Sequence, residues 1–224
     1  NDGWGLGTKF LEAIYDVITN HEKEELNILE FGSGRSTEFL VDVARQENKK
    51  IHIESYDDSE IYAYKLQDGD DKYVDVNIRR LVHCNEKNFS SMFLDKKYNK
   101  EYMQLYQQAS HTRQRNCFYD FLDHDLKKQY DIIVLDGPNG SGRSLAYLHL
   151  QDIIDYGLTY VCIDDYDAFD HVYQQPYPYI QCLKYMFDVE LVFHHKANWE
   201  GDEPPQSNMI YKILGAKDKQ PEKG

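Results

Sequence analysis

Hydrophobic positions along the chain alternate between two spacings. Residues 8–19 carry Phe10, Leu11, Ile14, Tyr15 and Ile18 at helical intervals, with Thr8 as the expected cap. LNILEF at 26–31 reads as the first strand, and the continuous apolar runs at 132–135 and 161–163 suit strands buried on both faces. Phe39, Leu40, Val43 and Ala44 return to helical spacing, and IHIESY at 51–56 reads as a second strand. A weaker strand is expected around 80–84, then strands at 130–135 and 160–163. Between those two, Leu145, Leu148, Ile153 and Ile154 predict an amphipathic helix that stops at Gly157. A helix near 177–187, then VELVFHH and MIYKIL, complete the pattern. Such alternation predicts an α/β fold with a mostly parallel seven-stranded sheet and helices on both faces. The last two strands are joined only by the loop KANWEGDEPPQS, which predicts an antiparallel strand near one edge. Residues 85–129 break the rhythm and exceed an ordinary connection. Tyr102, Leu105 and Tyr106, then Phe118, Phe121 and Leu122, predict two helices within this insertion. No linker interrupts 1–224, so one domain is expected, with a charged tail fraying after 217.

Three strands end in acid. Glu30 closes the first, ahead of Gly32-Ser33-Gly34; Asp57 closes the second; Asp136 closes the run YDIIVLD. A fourth, YVCI, ends in Asp164-Asp165. Ligands of open α/β sheets bind just beyond the carboxyl ends of the strands, so these acids are expected to share one rim. Glycines between strand and helix let the backbone approach a ligand at the helix N-terminus. Asp57 is placed to accept both hydroxyls of a ribose; Glu54 is the alternative, and adjacent strand positions point to opposite faces. Adjacency also means that Asp164 and Asp165 can share a ligand only if the chain turns there, which Tyr166-Asp167 would allow. Three carboxylates held so close repel one another unless a cation is present.

EFGSGRS, IESYDD, YDIIVLDG and YVCIDDY, in that order, resemble the successive motifs of class I S-adenosylmethionine-dependent methyltransferases over residues 26–214. The loop-joined final strands are similar to the ending of that Rossmann-like fold. The resemblance implies that Glu30, Gly32, Ser33, Gly34, Asp57 and Asp136 bind S-adenosylmethionine. The pairing of Asp136 with Asp164 and Asp165 looks like the metal-dependent O-methyltransferases, and the DDY run like their macrocin-type sugar branch. It implies a divalent metal, Mg²⁺ by its preference for oxygen ligands, on Asp136, Asp164 and Asp165. Such an ion would acidify an acceptor hydroxyl and align it with the sulfonium methyl. The chain departs from the catechol-type branch at Asn139, where that branch carries Lys, and Gly-Pro-Asn-Gly after Asp136 is unlike the macrocin-type continuation. The general base is therefore open among His171, just after the acid pair, and His194 and His195 at a strand end. Asp136 and His171 are taken as the catalytic pair, acting on a hydroxylated small molecule such as a sugar.

Composition narrows the partners. A net charge of -14 argues against a nucleic-acid backbone. The four cysteines show no CxxC pair and are expected to be reduced. No segment approaches the about 20 apolar residues of a membrane span, so a cytoplasmic protein without a membrane partner is expected, its oligomeric state open. Two other functions fit parts of the chain. A methyltransferase-like fold can bind a nucleotide or partner without methylating. Residues 137–144, GPNGSGRS, match a phosphate-binding loop except that Arg143 replaces Lys, which is not an equivalent phosphate clamp. Only 80 residues follow Ser144, too few for the rest of an ATPase domain.

Overall fold

The computed structural model describes residues 6–83, 117–120, 126, 129–138, 143, 146–166, 179–196 and 207–217. Helix α1 (Thr8–Asn20) buries Phe10, Ile14, Val17 and Ile18, one stripe of a 3.6-residue repeat. Its N-cap is Gly7 and not Thr8, which is the first helical residue. The Gly7 carbonyl accepts the amides of Phe10 and Leu11 at 3.0 Å, so no side-chain cap is present. Strand β1 (Glu25–Phe31), helix α2 (Arg35–Gln46) and strand β2 (Lys50–Asp57) follow as expected.

The third strand of the sheet lies earlier than expected. It is β3 (Val74–Ile78), parallel to β2 in the register Ile53↔Val74. Residues 81–83 instead form β4 (Leu81–His83), which pairs antiparallel with β5 (Cys117–Tyr119) in a separate two-stranded ribbon. Phe118, expected in a helix, is therefore in a strand; the expected helix at 102–106 lies outside the described residues. The ribbon packs aromatic side chains on β1: Phe31 sits 5.4 Å from Phe118 and 5.8 Å from Tyr119 between ring centroids.

Strands β6 (Ile132–Leu135) and β7 (Tyr160–Ile163) flank a helix, α3 (Ala146–Leu150), shorter than the spacing predicted. After it the chain turns, and Ile154 forms a bridge with Tyr130. Gly157 adopts φ +83, so a glycine suits that turn. Helix α4 (Tyr179–Met186), β8 (Phe187–His195) and β9 (Asn208–Ala216) complete the described fold. The seven-stranded order is β3-β2-β1-β6-β7-β9-β8, with β9 antiparallel to both of its neighbours.

Side-chain alternation divides the core into two layers. Leu26, Ile28, Ile132, Val134 and Cys162 face α1 and α2; Leu29, Phe31, Ile133, Leu135, Val161 and Ile163 face α3, α4 and the ribbon. Each of these large side chains contributes roughly 1.5–3 kcal/mol when fully buried. Cys117 and Cys162 are buried free thiols. Among the described residues no helix is long and apolar enough to cross a membrane.

The amino ends of the strands are held by charge. Asp131, 2% exposed at its side chain, accepts the Asn27 amide at 2.8 Å and the Lys23 ammonium at 2.7 Å; Lys23 also reaches Asp155 at 3.2 Å. Removing Lys23 leaves a buried carboxylate without its cation. Lys23→Met is expected to lower unfolding free energy by about 1–3 kcal/mol in urea titrations. A change below a few tenths would mean that the Asn27 amide alone holds Asp131.

Candidate functional site

Parallel strands in register share the direction in which each side chain points, so one parity delivers the site. Glu30 pairs with Ser55 across β1 and β2, and with Val134 across β1 and β6. Continuing the ladders, the Asp136 amide donates to the Phe31 carbonyl (2.9 Å) and the Asp164 amide to the Leu135 carbonyl (3.1 Å). Glu30, Ser55, Asp57, Asp136 and Asp164 thus continue the alternation that faces α1 and α2. The expected gathering of strand-end acids at one rim is the geometry observed.

Glu30 is fully buried. Its Oε2 accepts the Thr37 hydroxyl at 2.5 Å and the Ser55 hydroxyl at 2.6 Å. Thr37, in the first turn of α2, also accepts the Gly34 amide (2.8 Å), half of a capping box. With the Thr37 proton given to Glu30, the Ser33 hydroxyl, 3.2 Å away, donates to Thr37. The other Glu30 oxygen, Oε1, has no hydrogen-bond partner among the described residues.

Gly32 sits at φ +97 between strand and helix, its amide bonded to the Tyr56 carbonyl at 2.8 Å. A Cβ there would lie 2.8 Å from the Gly137 nitrogen and 2.9 Å from the Asp136 carbonyl carbon. This glycine therefore lets the exits of β1 and β6 touch. At Gly34 an added Cβ would meet the Tyr62 carbonyl at 3.6 Å, an ordinary contact, so this position is less crowded than Gly32. Asp57 adjoins this loop: Oδ2 accepts the Ser33 amide (3.0 Å) and Oδ1 the Ser59 amide (2.8 Å). Burial, more than the nearby Asp58 charge, raises its pKa. Glu54 points to the other face, where it receives the Tyr56 and Tyr130 hydroxyls at 2.5 and 2.6 Å.

Asp136 is half-buried and Asp164 is 3% exposed. Burial, then the charges of Asp136 and Asp165, push Asp164 well above the usual carboxylate range, and it shares a hydrogen bond with Asp136. Asn208 of β9 also donates to Asp164 Oδ1. Asp165 takes φ +51, the turn that the adjacent acids require. Among the described residues no group of three His, Cys, Asp or Glu side chains is arranged to hold a metal ion. Asp164 Oδ1 is instead engaged by Asn208 of β9.

Arg143 is buried and donates to three carbonyls: Asp136 at 2.6 Å, Asp164 at 3.1 Å and Pro138 at 3.2 Å. It ties the exits of β6 and β7 together, a use quite unlike a phosphate clamp. His194 meets the Tyr166 hydroxyl through Nε2 at 2.7 Å, which connects the end of β8 to the turn after Asp164. His195 is half-buried beside it, and His171 lies outside the described residues. Thr37, Ser55 and Asn208 were not among the residues expected at the site. An acid inside a buried strand requires donors, and Ser55, directly in register, was the available signal.

No protein-family model matches the sequence, and no curated protein does. Among solved structures the chain is similar to the O-methyltransferase TomG from Streptomyces achromogenes, involved in tomaymycin synthesis and crystallised with S-adenosylmethionine. The TM-score is 0.55 at 11% identity, over 95% of this chain and 82% of that one. It is also similar to the CMeT domain of the citrinin polyketide synthase, with TM-score 0.51 and 11% identity, over 93% of this chain and 53% of that one. At such identities the likeness is one of fold. The architecture is the Rossmann-like fold of the methyltransferases, with the antiparallel strand next to one edge.

Burial, opposed by the hydroxyls of Ser36, Ser55 and Thr37, pushes Glu30 from an ordinary 4.5 up to about 7. The folded state therefore holds this proton more tightly than the unfolded chain. The contribution to stability is complete below 4.5 and is lost as pH rises towards 7, by about 3 kcal/mol. In urea denaturation, Glu30→Gln should gain on wild type from pH 5 to pH 8 by up to about that amount. A pH-independent difference would show that Glu30 is not held neutral.

The Gly32 contact gives a second expectation. Gly32→Ala meets backbone on two sides and an unfavourable φ, and should lose roughly 2–4 kcal/mol. A shift of the urea midpoint no larger than that of a surface substitution would contradict the contact.

Proposed function

We propose that the chain is an S-adenosylmethionine-dependent methyltransferase acting on a hydroxyl of a small molecule. One observation carries the reading: Glu30, the Gly32–Gly34 turn and Asp57 form one hydrogen-bonded unit at the carboxyl rim of a sheet with methyltransferase strand order. The residues fit the cofactor. Asp57 takes the Ser33 amide on Oδ2 and the Ser59 amide on Oδ1, and a carboxylate, with about four lone-pair sites, has capacity left for a vicinal diol. Glu30 Oε1 has no hydrogen-bond partner among the described residues. The cofactor would supply an electrophilic methyl on sulfur. The chain's task is then to hold an acceptor oxygen in line with it and keep water away. Asp136, half-buried at the exit of β6, would orient the acceptor. The acceptor's proton would leave through a histidine, the Tyr166-linked His194 being a candidate among the described residues and His171 one outside them.

The O-methyltransferase likeness of TomG supports a hydroxyl acceptor, while the CMeT domain shares the fold. A divalent metal would compete with Asn208 for Asp164 Oδ1, and no step is assigned to one.

Calorimetry tests the reading. Wild type should bind S-adenosylmethionine or its demethylated product, and Asp57→Ala, folded by circular dichroism, should bind at least roughly tenfold more weakly. ATP binding without a response to S-adenosylmethionine would favour a nucleotide-binding role. A rise in melting temperature with Mg²⁺, and methylation abolished by EDTA, would restore the metal-assisted mechanism.

A further inference from the structure

The segment that follows Asp57, residues 58–73, leaves much of its apolar surface exposed. Ile61 and Tyr62 are 80% and 78% exposed and Leu66 is also exposed, while Ala63 is buried and the half-buried Tyr64 and Tyr73 pack against the α1 and α2 layer. A segment with few fully buried side chains opens readily. Polar contacts add to its hold. Asp70, fully buried, accepts the Tyr64 hydroxyl at 2.6 Å and the Gln67 amide at 2.7 Å. It also pairs with Arg45, in the last turn of α2.

Tyr64 is bonded at both ends. Its hydroxyl is on Asp70, and its amide donates to the Ser33 hydroxyl at 3.1 Å. Ser33 is the centre of the glycine turn: its amide reaches Asp57 and its hydroxyl reaches Thr37, which bonds Glu30. A continuous path therefore runs from Arg45 through Asp70, Tyr64 and Ser33 to both acids expected to hold the cofactor. A buried Asp that staples its own loop is common, and the Gln67 bond alone would be that. The Tyr64 amide on Ser33 makes this staple reach the binding turn.

We propose that Arg45, Asp70 and Tyr64 are positioning residues for the cofactor: through Ser33 they fix the glycine turn and Asp57 in the geometry that takes its nucleoside half. The inference rests on the methyltransferase reading.

Tyr64→Phe removes one hydroxyl and keeps the ring. It should weaken binding of the demethylated cofactor roughly five- to tenfold by calorimetry. It should also raise the cofactor KM, with kcat unchanged at saturation. In the cofactor-free protein, amide hydrogen exchange at Ser33 should accelerate. Asp70→Asn should go the same way and further. Lys23→Gln, which perturbs the charge network at the opposite rim, should leave affinity and Ser33 exchange as in wild type. Wild-type affinity and wild-type Ser33 exchange in Tyr64→Phe would overturn the proposal while the methyltransferase reading stands. So would an equal loss of affinity in Lys23→Gln, since general destabilisation would then explain both. If wild type binds no cofactor, the methyltransferase reading falls and this role with it; unchanged Ser33 exchange would then remove the latch as well.

Discussion

Register in the parallel sheet is the constraint from which the site follows. A slip of one residue between β1 and β2 would turn Ser55 and Asp57 to the opposite face. Glu30 would then lose a donor it cannot replace inside the core, and Ser33 would lose its acceptor. The two apolar layers specify that register, because Ile51 and Ile53 fit the α2 layer while Tyr56 belongs to the other. Burial thus does more than stabilise the sheet. It decides which carboxylates meet.

That dependence explains what could be read from the chain. Asp136 and Asp164 were visible because each ends an uninterrupted apolar run, and Glu30, Gly32 and Asp57 because they stand where a strand gives way to a glycine turn or at the end of the next strand. β3 was not visible in the same way. Val74 is buried, but Asp75 and Ile78 are exposed at the sheet's edge, so the strand has no apolar run. The apolar pair Leu81-Val82 looked like the better strand, and it is one, but its partner is Cys117–Tyr119, far along the chain. No local spacing announces such a pairing. Helix α3 fell short of its periodic pattern because Ile153 and Ile154 are buried through a turn and a bridge to Tyr130, which matches helical burial without a helix.

Arg143 shows how a motif can be right about place and wrong about use. Its position after a strand and a glycine-rich turn fits a phosphate loop, yet the guanidinium faces backbone carbonyls. Five fixed N–H donors suit such a task, which a lysine could meet only in part. The carbonyls of Asp136 and Asp164 leave the ladders where the sheet ends, and buried carbonyls need donors. Supplying those donors from one side chain fixes the two acids relative to each other. Asn208, on the antiparallel strand, adds a further restraint on Asp164. The net charge of -14 is therefore not spread evenly in its consequences: part of the acid is buried and held close to neutral at this rim.

The two ends of the sheet are finished differently among the described residues. At the amino end, buried Asp131 has a cation and an amide, and Lys23 in turn has two carboxylates and is raised by the Asp131 bond. Polar burial there is matched. At the carboxyl end, Glu30 keeps an oxygen without a partner among the described residues, and burial beside Asp136 and Asp165 raises Asp164 well above the usual carboxylate range. Local rules are broken mainly where a ligand completes them. An electropositive ligand group beside Glu30 and a diol on Asp57 would supply what the carboxyl rim lacks.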